Sequence, residues 1–356
     1  VQDGKILQIA ENLETPPGAT EVSGPVICAG FMDPWSVIGV SSRALSDRAV
    51  NAASRTADAV DYWSGEHLRE EALRAGVTSA RVQMGREAFV SGIGAVIGLA
   101  GEGVDDSLHL RDAVVAANLG LSAEGGGQFV AGPDGSFSFV SGVQAMDPFD
   151  RVAQVDRLVA QLTAGAKYRE DQVEYRYELE EWHKAIAEKE KELEKDFKKA
   201  KKDREKGEKK AKEDGKEYKP KKYKEDKKPK EPRYDAQKEV WARVAGGEMP
   251  LILQVHRSAE IRTLLERTAG MDRLRMVLAG GTEAMHHAPE LARRGVAVIV
   301  WPAPLGRANQ GSYDEWEGHK LSLAAELSEA GVRVLLGSGG VAARATRDLP
   351  MLAALA

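Results

Sequence analysis

The sequence predicts an α/β fold built on parallel strands, and three observations carry that prediction. In the C-terminal third, three consecutive segments repeat the order helix, glycine, strand. That is the signature of right-handed crossovers between parallel neighbours. Unbroken apolar runs such as Pro25–Asp33 read as strands covered on both faces, as parallel strands are. The chain has 356 residues, of which 42% are hydrophobic, enough for one large barrel or two ordinary domains.

In order, Gly4–Ile9 reads as a short strand after a turn, and Pro25–Asp33 as a buried strand. A helix over His67–Arg74 stops at Ala75-Gly76, and Val77–Val82 follows as a strand. Residues 85–145 are glycine-rich. Their Gly92-Ile93-Gly94-Ala95-Val96-Ile97-Gly98 is not the G-x-G-x-x-G of nucleotide loops, because the last spacing is one residue too long, and it reads as loop punctuation. Val152–Phe197 reads as one long helix whose early part is apolar enough to pack. The repeating units then run Ala259–Thr268 with Leu274–Ala279, Ala288–Arg294 with Val296–Val300, and Lys320–Ala330 with Val332–Leu336. Trp301-Pro302-Ala303-Pro304 could line the mouth of the barrel or simply end its strand, and the second reading is preferred.

Charge is unevenly placed. Residues 167–233 hold 25 Lys/Arg and 20 Asp/Glu, whereas the rest of the chain holds 25 and 35. An acidic body therefore carries a mildly basic, highly charged helical and flexible insert. Past Lys198 apolar residues almost vanish, and Pro220, Pro229 and Pro232 interrupt any helix, so Lys198–Pro232 cannot fold by itself. Interspersed acids cancel the field that would draw an acidic partner, so a solvated arm is the expectation. The net charge of -5 gives no nucleic-acid footprint, and no apolar run is long enough to span a membrane. The single cysteine, Cys28, excludes an intrachain disulfide and fits a reducing, cytoplasmic setting; in an apolar strand its thiol acts as a small hydrophobe.

Several motifs carry a family resemblance. Cys28-Ala29-Gly30-Phe31-Met32-Asp33-Pro34-Trp35-Ser36-Val37-Ile38-Gly39 resembles the first barrel strand of metal-dependent amidohydrolases, Pro-Gly-Phe-Ile-Asp-x-His-x-His-x-Gly. Gly4-Lys5-Ile6 is similar to the "dGkI" strand of the small β-sandwich ahead of that barrel, and Leu73–Val82 to the element "l-x-x-G-v-T-t-v-r". Within the superfamily the resemblance is to the imidazolonepropionase-like branch. It implies a (β/α)8 TIM-type barrel over residues 25–356, incomplete at its C-terminus. It also implies part of a small, incomplete β-sandwich over residues 1–24, with the 167–233 insert inside the barrel.

The resemblance also implies a metal site, and here the sequence departs from it. Two histidines at i and i+2 of a strand point the same way and can reach one metal, which makes hydroxide available near neutral pH. Those positions hold Trp35 and Val37. An indole N–H only donates, and valine has no lone pair. Pro250–Ile261 is similar to "P-l-l-V-H-a-H-R-a-d-d-I", with the ligand histidine replaced by Gln254. Met276–Ala284 is similar to "l-v-l-v-H-a-T-E-A", with Gly280 at the histidine; Val332–Gly339 is similar to "V-k-v-a-l-G-S-D", with Gly339 at the catalytic aspartate. No metal and no other cofactor is expected.

Other candidates are few. His256 and Arg257, at the end of a barrel strand, read either as structural or as a contact for an anionic ligand at the barrel mouth. Ser338 sits in a glycine-rich turn beside that mouth without a histidine–aspartate pair, and is not a nucleophile. His286 and His287 fall in a helix, where neighbours diverge by about 100°. Two functional readings stay open. One is a catalytically inactive binding or assembly subunit, pairing with a second copy or with an active amidohydrolase relative. The other is a hydrolase of carbon–nitrogen bonds in cyclic amides working through a rebuilt pocket. Limited proteolysis of the whole chain should cut within residues 198–232 first and leave a folded core. Protection of that stretch would indicate a docked arm instead.

Overall fold

The computed structural model describes the chain apart from residues 1, 3, 4, 12, 25, 26, 42, 43, 45–48, 64, 86, 87, 121–127, 132–136, 141–147, 215–226, 302–319 and 341; for 128–131, 137–140, 148 and 192–214 it gives backbone alone. Eight strands form a nearly closed barrel: β1 (Phe31–Ser36), β2 (Val77–Val82), β3 (Val90–Gly98), β4 (Leu108–Asn118), β7 (Leu251–Val255), β8 (Met276–Gly280), β9 (Ala297–Val300) and β10 (Val334–Leu336), adjacent in that order. A separate two-stranded sheet joins β5 (Gln128–Ala131) to β6 (Phe137–Val140).

The predicted crossovers lie where the glycines stop the helices. α1 (Glu66–Arg74) ends before Gly76, whose φ of 90° is the left-handed turn a helix exit needs, and β2 pairs parallel with β1. In the C-terminal half α5 (Ser258–Arg267) precedes β8, α6 (Ala288–Arg293) precedes β9, and α7 (Leu323–Glu329) precedes β10. β4, β7, β8, β9 and β10 all pair in parallel.

One strand departs from that pattern. β3 runs antiparallel to both β2 and β4. The link from β3 to β4 holds only α2 (Val104–Ser107), a single turn of four residues. A parallel return needs a crossover of roughly a dozen residues or more, so the chain can only double back. The glycine-rich segment is thus a barrel strand rather than a loop. Gly92, at φ 77°, lets the backbone pass close: a Cβ there would lie 2.4 Å from the Ser54 carbonyl oxygen.

The strand expected over Pro25–Asp33 begins later, at Phe31. Ile27 is 69% exposed and Cys28 is exposed too, so the cysteine is not a core residue as its apolar neighbours suggested. Pro25, Val26 and Gly4 lie outside the described residues. Between residues 1 and 24 the described residues make one isolated bridge, Gln2 with Lys5.

The long helix is longer than expected. α3 spans Pro148–Asp214, 67 residues or about 100 Å at the usual rise. It passes Phe197 because the helix breakers, the prolines, come only later; Pro220 itself lies outside the described residues. Its first turns are anchored by Val155, Leu158 and Leu162, each fully buried, and by Arg151 paired with Glu260 of α5 at 2.6 Å. α4 (Ala236–Ala245) returns beside it, N-capped by Asp235, whose carboxylate accepts from the Gln237 and Lys238 amides. Gly165 permits the approach, since a Cβ there would lie 2.4 Å from the Trp241 backbone.

Alternation along the strands separates outside from inside. Leu251, Leu253 and Val255, Leu278, Val298 and Val300 face outward to α3–α7 in the largest apolar cluster. Val77, Ala80 and Val82 face α1 and α8 (Leu349–Leu355) in a second cluster. Trp35, Val114, Ile252, Ala279, Ile299 and Trp301 fill the barrel interior.

Among the described residues no backbone ladder joins β10 to β1. A buried carboxylate bridges them. Asp33 on β1 accepts from the Ser338 amide just past β10 (3.1 Å), from its own strand at Trp35 N (3.1 Å), and from Thr346 Oγ1 (3.0 Å). Ser338 Oγ donates back to the Trp35 carbonyl at 3.2 Å, and Thr346 also meets Ser36 Oγ at 2.6 Å. Burial pushes the Asp33 carboxyl above the usual carboxylate range, and the hydrogen bonds from Ser338, Trp35 and Thr346 only partly oppose it. Asp33→Ala would orphan two buried donors on other elements and should cost about 3–5 kcal/mol in chemical denaturation. The raised pKa also fixes a sign. Asp33 contributes stability that is full below the ordinary carboxylate range and is lost as pH rises through its folded value. Wild type should therefore lose stability relative to Asp33→Asn over that rise; the opposite trend would refute the assignment.

Candidate functional site

The C-terminal ends of the parallel strands define one mouth of the barrel, where barrel sites lie. The five positions singled out by sequence lie at or just past the C-terminal ends of their strands, each in a distinct way. Trp35 and Val37, at the end of β1, are both 4% exposed. Gln254 is half-buried on β7, in register with Asn118 of β4 and Ala279 of β8. Gly280 and Gly339 end β8 and follow β10, with φ of 90° and 84°.

Rings occupy what those glycines leave open. A Cβ on Gly280 would lie 2.3 Å from His256 Cε1, so the imidazole lies against its bare backbone. A Cβ on Gly339 would lie 3.0 Å from Trp301 Cγ. The glycine against Trp35 is Gly340, not Gly280 or Gly339: its Cβ would lie 2.9 Å from Trp35 Cδ1. Trp301 touches both of the other rings. Trp35 and Trp301 stack at 6.2 Å and 22°, and His256 meets Trp301 edge-on at 5.9 Å. Of the two readings for Trp301, ending its strand was preferred; the residue is 5% exposed and half of this stack. Pro302, Ala303 and Pro304 lie outside the described residues.

His256 and Arg257 do not converge on one point. His256 is 1% exposed with Nδ1 2.8 Å from Thr282 Oγ1, while Arg257 pairs with Glu283 at 3.0 Å. Glu283 also accepts from the Ser258 amide at the start of α5, and its pKa is lowered: burial raises it, but Ser258 and Arg257 outweigh that. Ser338 is buried and spent on closing the barrel. His286 and His287 lie in a 3-10 turn (Ala284–His287) rather than a regular helix. His286 is exposed, and His287 Nε2 lies 2.8 Å from Ser258 Oγ.

The other wall of the mouth is polar. Arg81 on β2 is 4% exposed, with its guanidinium 4.4 Å above the Trp35 ring. Its Nε donates to the Pro34 carbonyl at 2.7 Å and its Nη1 to Gln83 Oε1 at 2.9 Å. Gln83 Nε2 donates to the Ser91 carbonyl, and Asn118 Nδ2 donates to Ser91 Oγ at 2.8 Å. Burial pushes the Arg81 pKa down to about 9, against the pull of Asp33, so the group is still a cation at neutral pH. Sequence reasoning missed Arg81. The available signal was a lone charge in the strand Val77–Val82, on the face opposite Ala80 and Val82.

These residues do not suit a divalent metal. Two of the five positions have no side chain, one is aliphatic, one is an indole that only donates, and Gln254 offers a single neutral carbonyl. The nearest imidazole, His256, is packed against Gly280 and engaged by Thr282. Among the described residues no group of three His, Cys, Asp or Glu could hold a metal.

Trp35→Ala should cost about 3–5 kcal/mol, as aromatic truncations in cores do, because Trp301 and Arg81 both lose their packing partner. Paired with Trp301→Ala the loss should fall short of the sum of the singles, since one stack is removed twice. Additive losses in denaturant titrations would show that the rings do not act together.

No family model matches the sequence, and no curated protein matches it. Among solved structures, the chain is similar to an amidohydrolase from Thermotoga maritima, with a TM-score of 0.63 and 20% identity over 97% of this chain and 75% of that one. At that identity the likeness speaks to architecture: this chain shares the barrel fold of that protein.

Proposed function

We propose that the protein is a metal-free relative of the imidazolonepropionase-like amidohydrolases, in which the barrel serves as a binding or assembly subunit rather than a hydrolase. The observation that carries this reading is the ring cluster. His256, Trp301 and Trp35 lie against Gly280, Gly339 and Gly340, and the resemblance aligns the first two of these glycines with a ligand histidine and the catalytic aspartate. Restoring an imidazole or a carboxylate there would collide with a packed ring. The small sandwich, of which residues 1–24 would be a part, and pairing with a second copy or an active relative belong to the same proposal. The absence of a membrane-spanning helix among the described residues fits it.

Metal-dependent hydrolysis would need a bound hydroxide and a base to take its proton, and neither Gly280 nor Gly339 supplies one. The purified chain should hold well under one equivalent of zinc, iron or manganese by elemental analysis, and should not hydrolyse cyclic amides with or without added zinc. Trp35→His combined with Val37→His should not restore hydrolysis. About one tightly held metal per chain, surviving dialysis against chelator, would overturn the proposal. Turnover without metal would favour the rebuilt-pocket hydrolase.

A further inference from the structure

The polar wall of the mouth contains a chain of hydrogen bonds with two loose ends. Arg81 Nη1 binds Gln83, Gln83 binds the Ser91 backbone, and Ser91 Oγ binds Asn118. Among the described residues, Arg81 Nη2 at one end has no hydrogen-bond partner, and at the other Asn118 Oδ1 has none. Both side chains are more than nine-tenths buried, Arg81 at 4% and Asn118 at 0% exposed. Native proteins rarely leave such atoms unmet, and a charged donor left so costs more than a neutral one.

The nearby carboxylate is not free to meet Arg81. Asp33 spends its oxygens on the Trp35 and Ser338 amides and the Thr346 hydroxyl. The other cation at this mouth, Arg257, is matched by Glu283. Arg81 is thus a buried cation held from three sides, by the Pro34 carbonyl, Gln83 and the Trp35 face, with the two N–H groups of Nη2 left over.

We infer that the barrel mouth binds a small carboxylate that also carries a hydroxyl or amine, with Arg81 anchoring the carboxylate and Asn118 accepting from the second group. The inference deepens the reading of this mouth as a binding site without metal. A charged acceptor for the spare guanidinium N–H groups makes the strong kind of hydrogen bond, and the neutral acceptor of Asn118 explains the need for a donor on the same ligand. No bond is made or broken.

The probes are lactate, which has both groups, propionate, which lacks the hydroxyl, and lactamide, which lacks the charge. Binding to the full chain is read by calorimetry and by tryptophan fluorescence, since Trp35 lies under the guanidinium. Lactate should bind in the millimolar range or tighter, propionate several-fold more weakly, and lactamide not measurably. Arg81→Lys keeps the charge but loses the fork, and should weaken lactate by about tenfold or more while the protein stays folded by circular dichroism. Should Arg81→Lys fail to fold, the lactate–lactamide comparison on wild type still decides. Equal binding of lactamide, no binding of either acid, or unchanged affinity in Arg81→Lys would overturn the inference. Titrations are run on protein of known metal content after chelator treatment. Bound metal would refute the metal-free reading by itself, and loss of carboxylate binding in metal-free protein would refute only this inference.

Discussion

The Asp33 carboxylate is the interaction on which the rest of the barrel depends. Eight strands wrap round, yet the last and first are not joined by a backbone ladder among the described residues. A single buried side chain on β1 takes an amide from beyond β10 and a hydroxyl from the 3-10 turn ahead of α8. The cost is desolvation of a charge, visible in its raised pKa. The gain is that the two sheet edges, which would otherwise present unmet amides and carbonyls, are held in register. The same bridge sets Trp35, two residues on, at the rim: its amide donates to Asp33 and its carbonyl accepts from Ser338.

Everything at the mouth follows from where that rim places its rings. Four glycines at left-handed φ values, Gly280, Gly281, Gly339 and Gly340, turn the chain at the ends of β8 and β10, and rings from other strands lie against all but Gly281. The result is an aromatic wall facing a polar one, with Arg81 between them, stacked on Trp35 and bonded toward Gln83. A metal site would need the opposite arrangement, with lone pairs converging on empty space. Here rings lie against Gly280, Gly339 and Gly340 instead.

The insert obeys separate physics. α3 is fixed to the barrel by its first turns, through buried leucines and the Arg151–Glu260 pair, and by α4 returning beside it. Farther along, the sequence offers charge and helix propensity but little to bury. The helix persists to Asp214 because nothing breaks it earlier, since alternating Lys and Glu support a helix locally without any tertiary contact.

The sequence by itself determined the elements whose periodicity is local. The helix–glycine–strand units ending at Gly76, Gly295 and Gly331 stand within a few residues of where the pattern put them, because a left-handed glycine stops a helix regardless of its surroundings. It also singled out Trp35, Val37, Gln254, Gly280 and Gly339 as the positions where the resemblance would put histidines and an aspartate, since residue identity needs no fold to be read. Tertiary structure decided what sequence spacing cannot express. The reversal of β3 is a matter of which neighbour is near when the connection is too short to cross over. Cys28 left the core because strand pairing starts only at Phe31. Trp301 joined Trp35, more than two hundred positions away, through closure of the barrel, and Arg81 came to lie over Trp35 through the pairing of β1 with β2. Contacts between distant strands depend on register and curvature, and those are properties of the closed sheet rather than of any one segment.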